Sequence, residues 1–142
     1  MALWAKLAFW RKPAKPVHLQ RGNLGETAAR DFLAKKGLKF LAANFARKRG
    51  EIDLVFRDGV CLVFVEVKTR SGYGWTRPAR AVDVRKRKAL FRTASDYLRL
   101  LDDPTTPYRF DVVEVFLEDE TVKEIRHIEN SFDRSMLRSR RR

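Results

Sequence analysis

From Asn23 onward, apolar positions recur at helical spacing: Leu24, Ala28, Phe32 and Leu33 line one side, Asn23 stands where an N-cap belongs, and Gly37 marks a C-terminal stop. An extended segment over residues 38–45 and a basic turn, Arg47-Lys48-Arg49-Gly50, follow. Over residues 51–57 the period falls to two, which puts Ile52, Leu54 and Phe56 on one face and Asp53 and Val55 on the other. Asp58-Gly59 reads as a hairpin turn, since both residues tolerate positive φ. Residues 60–68 are apolar on both faces and read as a central strand.

A polar connection over residues 69–80 contains Tyr73, Trp75 and Pro78. It leads into a helix over 81–101 whose apolar stripe is Leu90, Ala94, Tyr97, Leu98 and Leu101. Arg85, Lys86, Arg87 and Lys88 crowd its first turns, where cations oppose the helix dipole, so local helix stability does not account for them. Residues 108–117 alternate again, with Phe110, Val112 and Phe116 opposite Asp111, Val113, Val115 and Leu117; a turn over 118–121 and a weaker strand over 122–128 close the body. The order α-β-β-β-α-β-β predicts an α/β fold on one mixed sheet.

Charge adds a second layer to this reading. The 142 residues carry 31 Lys and Arg against 18 Asp and Glu, a net charge of +13 that points to a polyanionic partner. Five cations and no acid fall in residues 1–22, and five more cations fall in 134–142. The chain thus divides into a basic N-terminal arm (1–22), a folded body (23–133) and a basic C-terminal tail (134–142). The body is polarised: residues 68–92 hold nine cations and one acid, whereas 100–133 hold three cations and ten acids. One basic face is expected. Leu3, Leu7 and Trp10 leave the arm open to three readings: a flexible segment, a helix for a lipid surface or partner, and a nucleic-acid contact. Cys61 is the only cysteine, which excludes an intrachain disulfide and fits a reducing cytoplasm. No apolar run reaches the roughly 20 residues of a bilayer span, so no integral membrane association is expected.

The chemical clue lies on the central strand, where strict alternation aligns Val60, Leu62, Phe64, Glu66 and Lys68. Glu66 and Lys68 fit a surface ion pair at the end of a buried ladder. They also fit a site, because the Asp58-Gly59 hairpin folds Asp53 toward Glu66. Two carboxylates in one partly buried place repel until a proton or cation relieves them. With no Cys or His cluster, the donors suit Mg²⁺ or Mn²⁺, and Lys68 would bring positive charge to a phosphate or water.

Asp53 followed by Glu66-Val67-Lys68 resembles the signature of PD-(D/E)XK nucleases, although Ile52 stands where the proline of that label would be. The wider pattern takes in Gly25-Glu26, Gly50-Glu51-Ile52-Asp53-Leu54, Phe64-Val65-Glu66-Val67-Lys68-Thr69-Arg70, Lys86 and Arg109-Phe110-Asp111-Val112. It is similar to the YraN-type bacterial family, over roughly residues 22–130, and in arrangement to archaeal Holliday junction resolvases. The resemblance implies a restriction-endonuclease-like mixed sheet flanked by helices. It further implies Asp53 and Glu66 as metal ligands, Lys68 as the catalytic cation and Glu26 as an additional acid of the site. Glu26, three residues after Asn23, equally suits a helix cap. Glu51 is expected at a turn or surface, Asp111 either supports the site or pairs with Arg109, and Tyr73 and Trp75 either stack on bases or cover the fold.

Arg47, Lys48, Arg49, Arg70, Arg77, Arg80, Arg85, Lys86, Arg87 and Lys88 form the expected phosphate-contact set. The expected function is metal-dependent hydrolysis of phosphodiester bonds in branched or damaged DNA, since no base-reading element is evident. A nuclease fold that grips nucleic acid without turnover is the alternative. DNA is favoured over RNA as partner, with a homodimer left open.

Overall fold

The computed structural model describes residues 20–71, 84–103 and 105–132. The helix α1 spans Gln20–Lys35 and is followed by β1 (Lys39–Arg47), β2 (Gly50–Asp58), β3 (Cys61–Ser71), helix α2 (Val84–Leu101), β4 (Tyr108–Glu118) and β5 (Thr121–Phe132). This is the expected α/β order. One five-stranded sheet runs β1-β2-β3-β4-β5. Only β3 and β4 are parallel, because only they are joined by a helical crossover rather than a hairpin.

Helix α1 ends as expected. Gly37 takes φ +97°, its N–H donates to Ala34 O at 3.0 Å, and Leu38 N donates to Leu33 O at 3.2 Å. That is the Schellman pattern, reinforced by the burial of Leu33 and Leu38 in one cluster. Its start differs from expectation: the helix runs from Gln20, so Asn23 is an interior residue and no N-cap. Gly25 lies so close to β3 that a Cβ would collide with Thr69 Oγ1.

The hairpins use two-residue turns with Arg47 opposite Gly50, Asp58 opposite Cys61 and Glu118 opposite Thr121. Asp119 and Glu120 both have positive φ, as a type I′ turn requires. The β2–β3 turn is Gly59-Val60, one residue later than the Asp58-Gly59 turn read from sequence; Gly59 carries the positive φ, and Val60 is 78% exposed instead of buried in the strand.

Each face of the sheet is covered by one helix. On one side Leu90, Ala94, Tyr97 and Leu101 of α2 pack on Phe45, Ile52, Val55, Leu62, Phe64, Phe110 and Val112. On the other, Ala29 and Leu33 of α1 pack on Leu54, Phe56, Val63, Val65, Val113 and Val115. Ile52 is therefore on the α2 side, not with Leu54 and Phe56 as strict alternation requires. The alternation breaks beside Asn44, whose φ is +53°, where the β2–β3 pairing ends at Leu54 opposite Val65.

Candidate active site

That break is what frees Asp53. Beyond Leu54 the two strands no longer pair, and Asp53 Oδ2 accepts the Val67 N–H at 2.8 Å, taking a donor that the ladder leaves over. The side chain is thereby anchored between β2 and β3. Glu66, on the Leu62/Phe64 face of β3, is only 6% exposed. Asp53 and Glu66 line one cleft of about 290 Å³ with Gly50, Glu51, Lys86, Ala89 and Leu90. The convergence expected from the Asp53 to Glu66 spacing is present.

The electrostatics of the cleft follow from this crowding. Burial first, and then the Glu66 carboxylate, push the Asp53 carboxyl up to about 8; Glu26 pushes in the same direction, while the Val67 hydrogen bond and Lys86 pull against them. Glu26 on α1 is thus within electrostatic reach of Asp53, although it does not line the cleft. Its proposed cap partner is lost, since Asn23 lies inside the helix.

Lys86 ion-pairs with Glu66 while its own side chain remains 52% exposed. Sequence reasoning had placed Lys86 among the phosphate contacts; its unfavourable position near the N-terminus of α2 was the signal that it answers to charges elsewhere. Lys68 stands just outside the cleft, opposite Glu114 in the parallel register. Burial, followed by the neighbouring Arg70 and Lys86 charges, lowers the affinity of its amine for a proton.

Glu51 was expected at a turn or surface, yet it lines the cleft. It stands beside Gly50, on the stretch of β2 where the strict alternation is lost. Glu114 was not anticipated at all: it is 2% exposed and lies 3.9 Å from Arg70 Nε. Its place on β4, beside the charged end of β3, is visible only once the parallel register is known. Asp111 resolves toward Arg109. It is fully buried on the α1 side, taking hydrogen bonds from Arg109 Nε at 3.1 Å and Asn130 N at 2.9 Å.

The expected phosphate contacts separate into groups. Arg47, Lys48 and Arg49 are exposed at the β1–β2 turn. Arg70 ends β3, Arg85 and Lys88 are exposed on α2, and the Arg87 guanidinium lies 5.7 Å from the Phe132 ring centroid. Arg77 and Arg80, with Tyr73 and Trp75, fall outside the described residues, as do most of the N-terminal arm and the whole C-terminal tail.

Residues 25–115 match the uncharacterised protein family UPF0102. A UPF0102 protein of Chlorobaculum parvum is 41% identical over 116 residues, covering 78% of this chain and 90% of that protein. One from Symbiobacterium thermophilum is 45% identical over 111 residues, covering 78% and 94%. One from Clostridioides difficile is 40% identical over 113 residues, covering 80% and 96%. The matched segment contains Glu26, Asp53, Glu66, Lys68 and Lys86, and the chain that carries this acidic cleft belongs to the UPF0102 family.

Proposed function

We propose that the cleft hydrolyses phosphodiester bonds in DNA with the help of a divalent cation. The observation that carries this reading is the convergence of Asp53 and Glu66 in one cleft, with a positive side chain beside them. Among the described residues no group of three or more His, Cys, Asp or Glu side chains is arranged to hold a metal by itself. A cation here would rest on two carboxylates and keep several waters, which is the habit of Mg²⁺ and, by the hardness of its ligands, of Mn²⁺. Such a cation, when bound, polarises the phosphodiester and activates water.

The chain's own residues supply the rest. The Val67 N–H orients Asp53. Lys68, one pleat beyond Glu66, brings positive charge toward phosphate oxygens at the cleft edge. Lys86 balances the carboxylates in the metal-free protein and, being half-exposed, has room to swing aside. The resemblance of Asp53 and Glu66-Val67-Lys68 to the PD-(D/E)XK signature supports the same chemistry. A second reading, a nuclease fold that binds nucleic acid without turnover, is favoured by the Lys86–Glu66 pair, because the ammonium already provides the countercharge.

Paired thermal melts with Mg²⁺ or Mn²⁺ separate these readings when followed by a cleavage panel of linear, nicked, flapped and four-way DNA and their RNA counterparts. Wild type should be stabilised by about 2.7 kcal/mol at a hundredfold excess over Kd. Asp53→Asn should lose most of that shift and all cleavage, whereas Lys86→Met should bind the cation more tightly because a competitor is gone. Equal shifts in wild type and Asp53→Asn would remove Asp53 from the ligand set. A shift that depends on Asp53 without cleavage of any substrate would favour the binding reading.

A further inference from the structure

A second cleft, of about 320 Å³, opens between the β1–β2 turn and the outer side of α2. Its walls carry Arg47, Lys48 and Arg49 from the turn and Arg92 and Arg99 from the helix, with Asp96 as the one acid. All five cations are exposed, so burial does not require their long side chains here. Asp96 accepts a hydrogen bond from Arg99 Nη1 at 3.1 Å, but one carboxylate against five cations leaves the cleft strongly positive. Like charges gathered in a concave place repel one another and focus a field that attracts an anion.

The other polar groups of the cleft narrow the kind of anion. Thr93 Oγ1 donates to Ala89 O at 2.9 Å and Ser95 Oγ donates to Phe91 O at 2.8 Å, so both hydroxyl protons are used within the helix. No Asn or Gln lines the cleft to pair with a base edge. Guanidinium and ammonium groups without base readers suit the phosphate backbone.

Position supplies the remaining argument. Gly50 lines the Asp53 cleft and Thr93 lines the basic one, and they approach so closely that a Cβ on Gly50 would stand 2.7 Å from Thr93 Oγ1. The two clefts therefore share a wall. Helix α2 runs past both: Lys86 and Leu90 face the acidic cleft, while Arg92 and Arg99 face the basic one. At 1.5 Å per residue, Arg92 and Arg99 lie about 9 and about 20 Å beyond Lys86 along the helix axis. On a DNA strand advancing about 3.4 Å per step, that span corresponds to phosphates roughly three to six steps away.

The geometry points to this turn–helix cleft as a backbone-binding subsite for DNA, in which Arg92 and Arg99 join Arg47, Lys48 and Arg49 to hold the backbone flanking the phosphate presented to Asp53 and Glu66. The subsite deepens the phosphodiesterase reading and rests on it for the role of the neighbouring cleft. Its readout, binding in the absence of metal, does not depend on turnover.

The experiment is fluorescence anisotropy with a long labelled DNA duplex and the full chain in EDTA over a salt series, beside an RNA duplex of the same sequence. Arg92→Gln/Arg99→Gln should weaken DNA binding about tenfold and lower the slope of log K against log[salt] by about 1.8, the release expected for two phosphates. Lys39→Gln/Lys123→Gln removes the same charge from exposed positions on β1 and β5 and should leave affinity within about twofold. Equal weakening by the two double variants would reduce the effect to net charge and overturn the subsite. Wild-type affinity in Arg92→Gln/Arg99→Gln, no DNA binding by wild type, or a larger loss on RNA than on DNA would each overturn it as well. A selective loss on DNA in a protein that cleaves nothing with Mg²⁺ or Mn²⁺ would uphold the subsite and sink the phosphodiesterase reading alone.

Discussion

Asp111 shows how a charged residue can be buried on the side of the sheet away from the candidate site. Besides Arg109 and the Asn130 N–H, it meets His127 Nε2 at 2.7 Å, and Lys36 Nζ lies 2.8 Å from His127 Nδ1. A lysine ammonium can only donate, so Nδ1 accepts and Nε2 carries the proton directed at Asp111. Arg109 Nη1 also reaches Asp58 Oδ2 at 2.9 Å, tying the β2–β3 turn to the cluster. Burial alone would raise the Asp111 carboxyl, but the His127, Arg109 and Asn130 donors outweigh it and hold it below its usual 3.8. A carboxyl that binds its proton more weakly in the folded state stabilises the fold above the unfolded value, and that contribution is lost as pH falls through the folded value. Asp111→Asn should therefore cost about 1.5–3 kcal/mol at neutral pH, the usual range for hydrogen bonds to a charged group. The gap from wild type should start to narrow near pH 3.8, where the unfolded chain takes up the proton, and close as the folded carboxyl follows at lower pH. Urea midpoints at neutral and acid pH measure both; a pH-independent gap would mean that the loss is one of packing rather than charge.

At the scale of elements, the close contact between β2 and α2 decides both clefts. A methyl on Gly50 would stand 2.7 Å from Thr93 Oγ1 and 3.2 Å from Ala89 O, so either the strand or the helix must move. Gly50→Ala should cost about 1–3 kcal/mol, the range for overpacking. Thr93→Ala removes the nearer obstacle, so the double variant should be less destabilised than the sum of the two single ones, a coupling that a denaturation cycle measures. Additive losses would show that the contact is not the source of strain. The same contact marks the limit of sequence reading. Period together with turn and stop residues was enough to predict seven elements in the right order, because α2 carries an apolar stripe and Gly37 and Gly59 mark ends that the fold keeps. It failed where the period breaks: Ile52 changes face beside the left-handed Asn44, and Val60 leaves the strand for the turn. Asp53 and Glu66 were legible because a hairpin converts their spacing into proximity. The basic cleft was not, because Arg92 and Arg99 meet Arg47–Arg49 only through the packing of α2 on β2.

For the whole molecule, charge is arranged in two tiers. The folded body carries an acidic cleft and a basic cleft side by side, while ten cations belong to residues 1–22 and 134–142. Among the described residues no helix is long and apolar enough to cross a membrane. Each phosphate neutralised by a cation releases counterions, so affinity for duplex DNA should fall linearly on a logarithmic scale of salt, by about 0.9 per phosphate. The two tiers should separate in that measurement. Deleting residues 134–142 removes five arginines and should lower the slope by at most about 4.5, less if some of them never reach a phosphate. It removes none of the carboxylates of the Asp53 cleft, so the metal-induced shift in melting temperature should stay as in wild type. Arg92→Gln/Arg99→Gln should lower the slope further in the truncated chain by the same amount as in the full one, because the cleft and the tail would contact different phosphates. If the tail deletion abolishes the effect of the two arginines, the cleft and the tail serve one phosphate group, and their contributions are coupled rather than independent. If the full chain binds DNA with no dependence on salt, the electrostatic grip fails for both tiers.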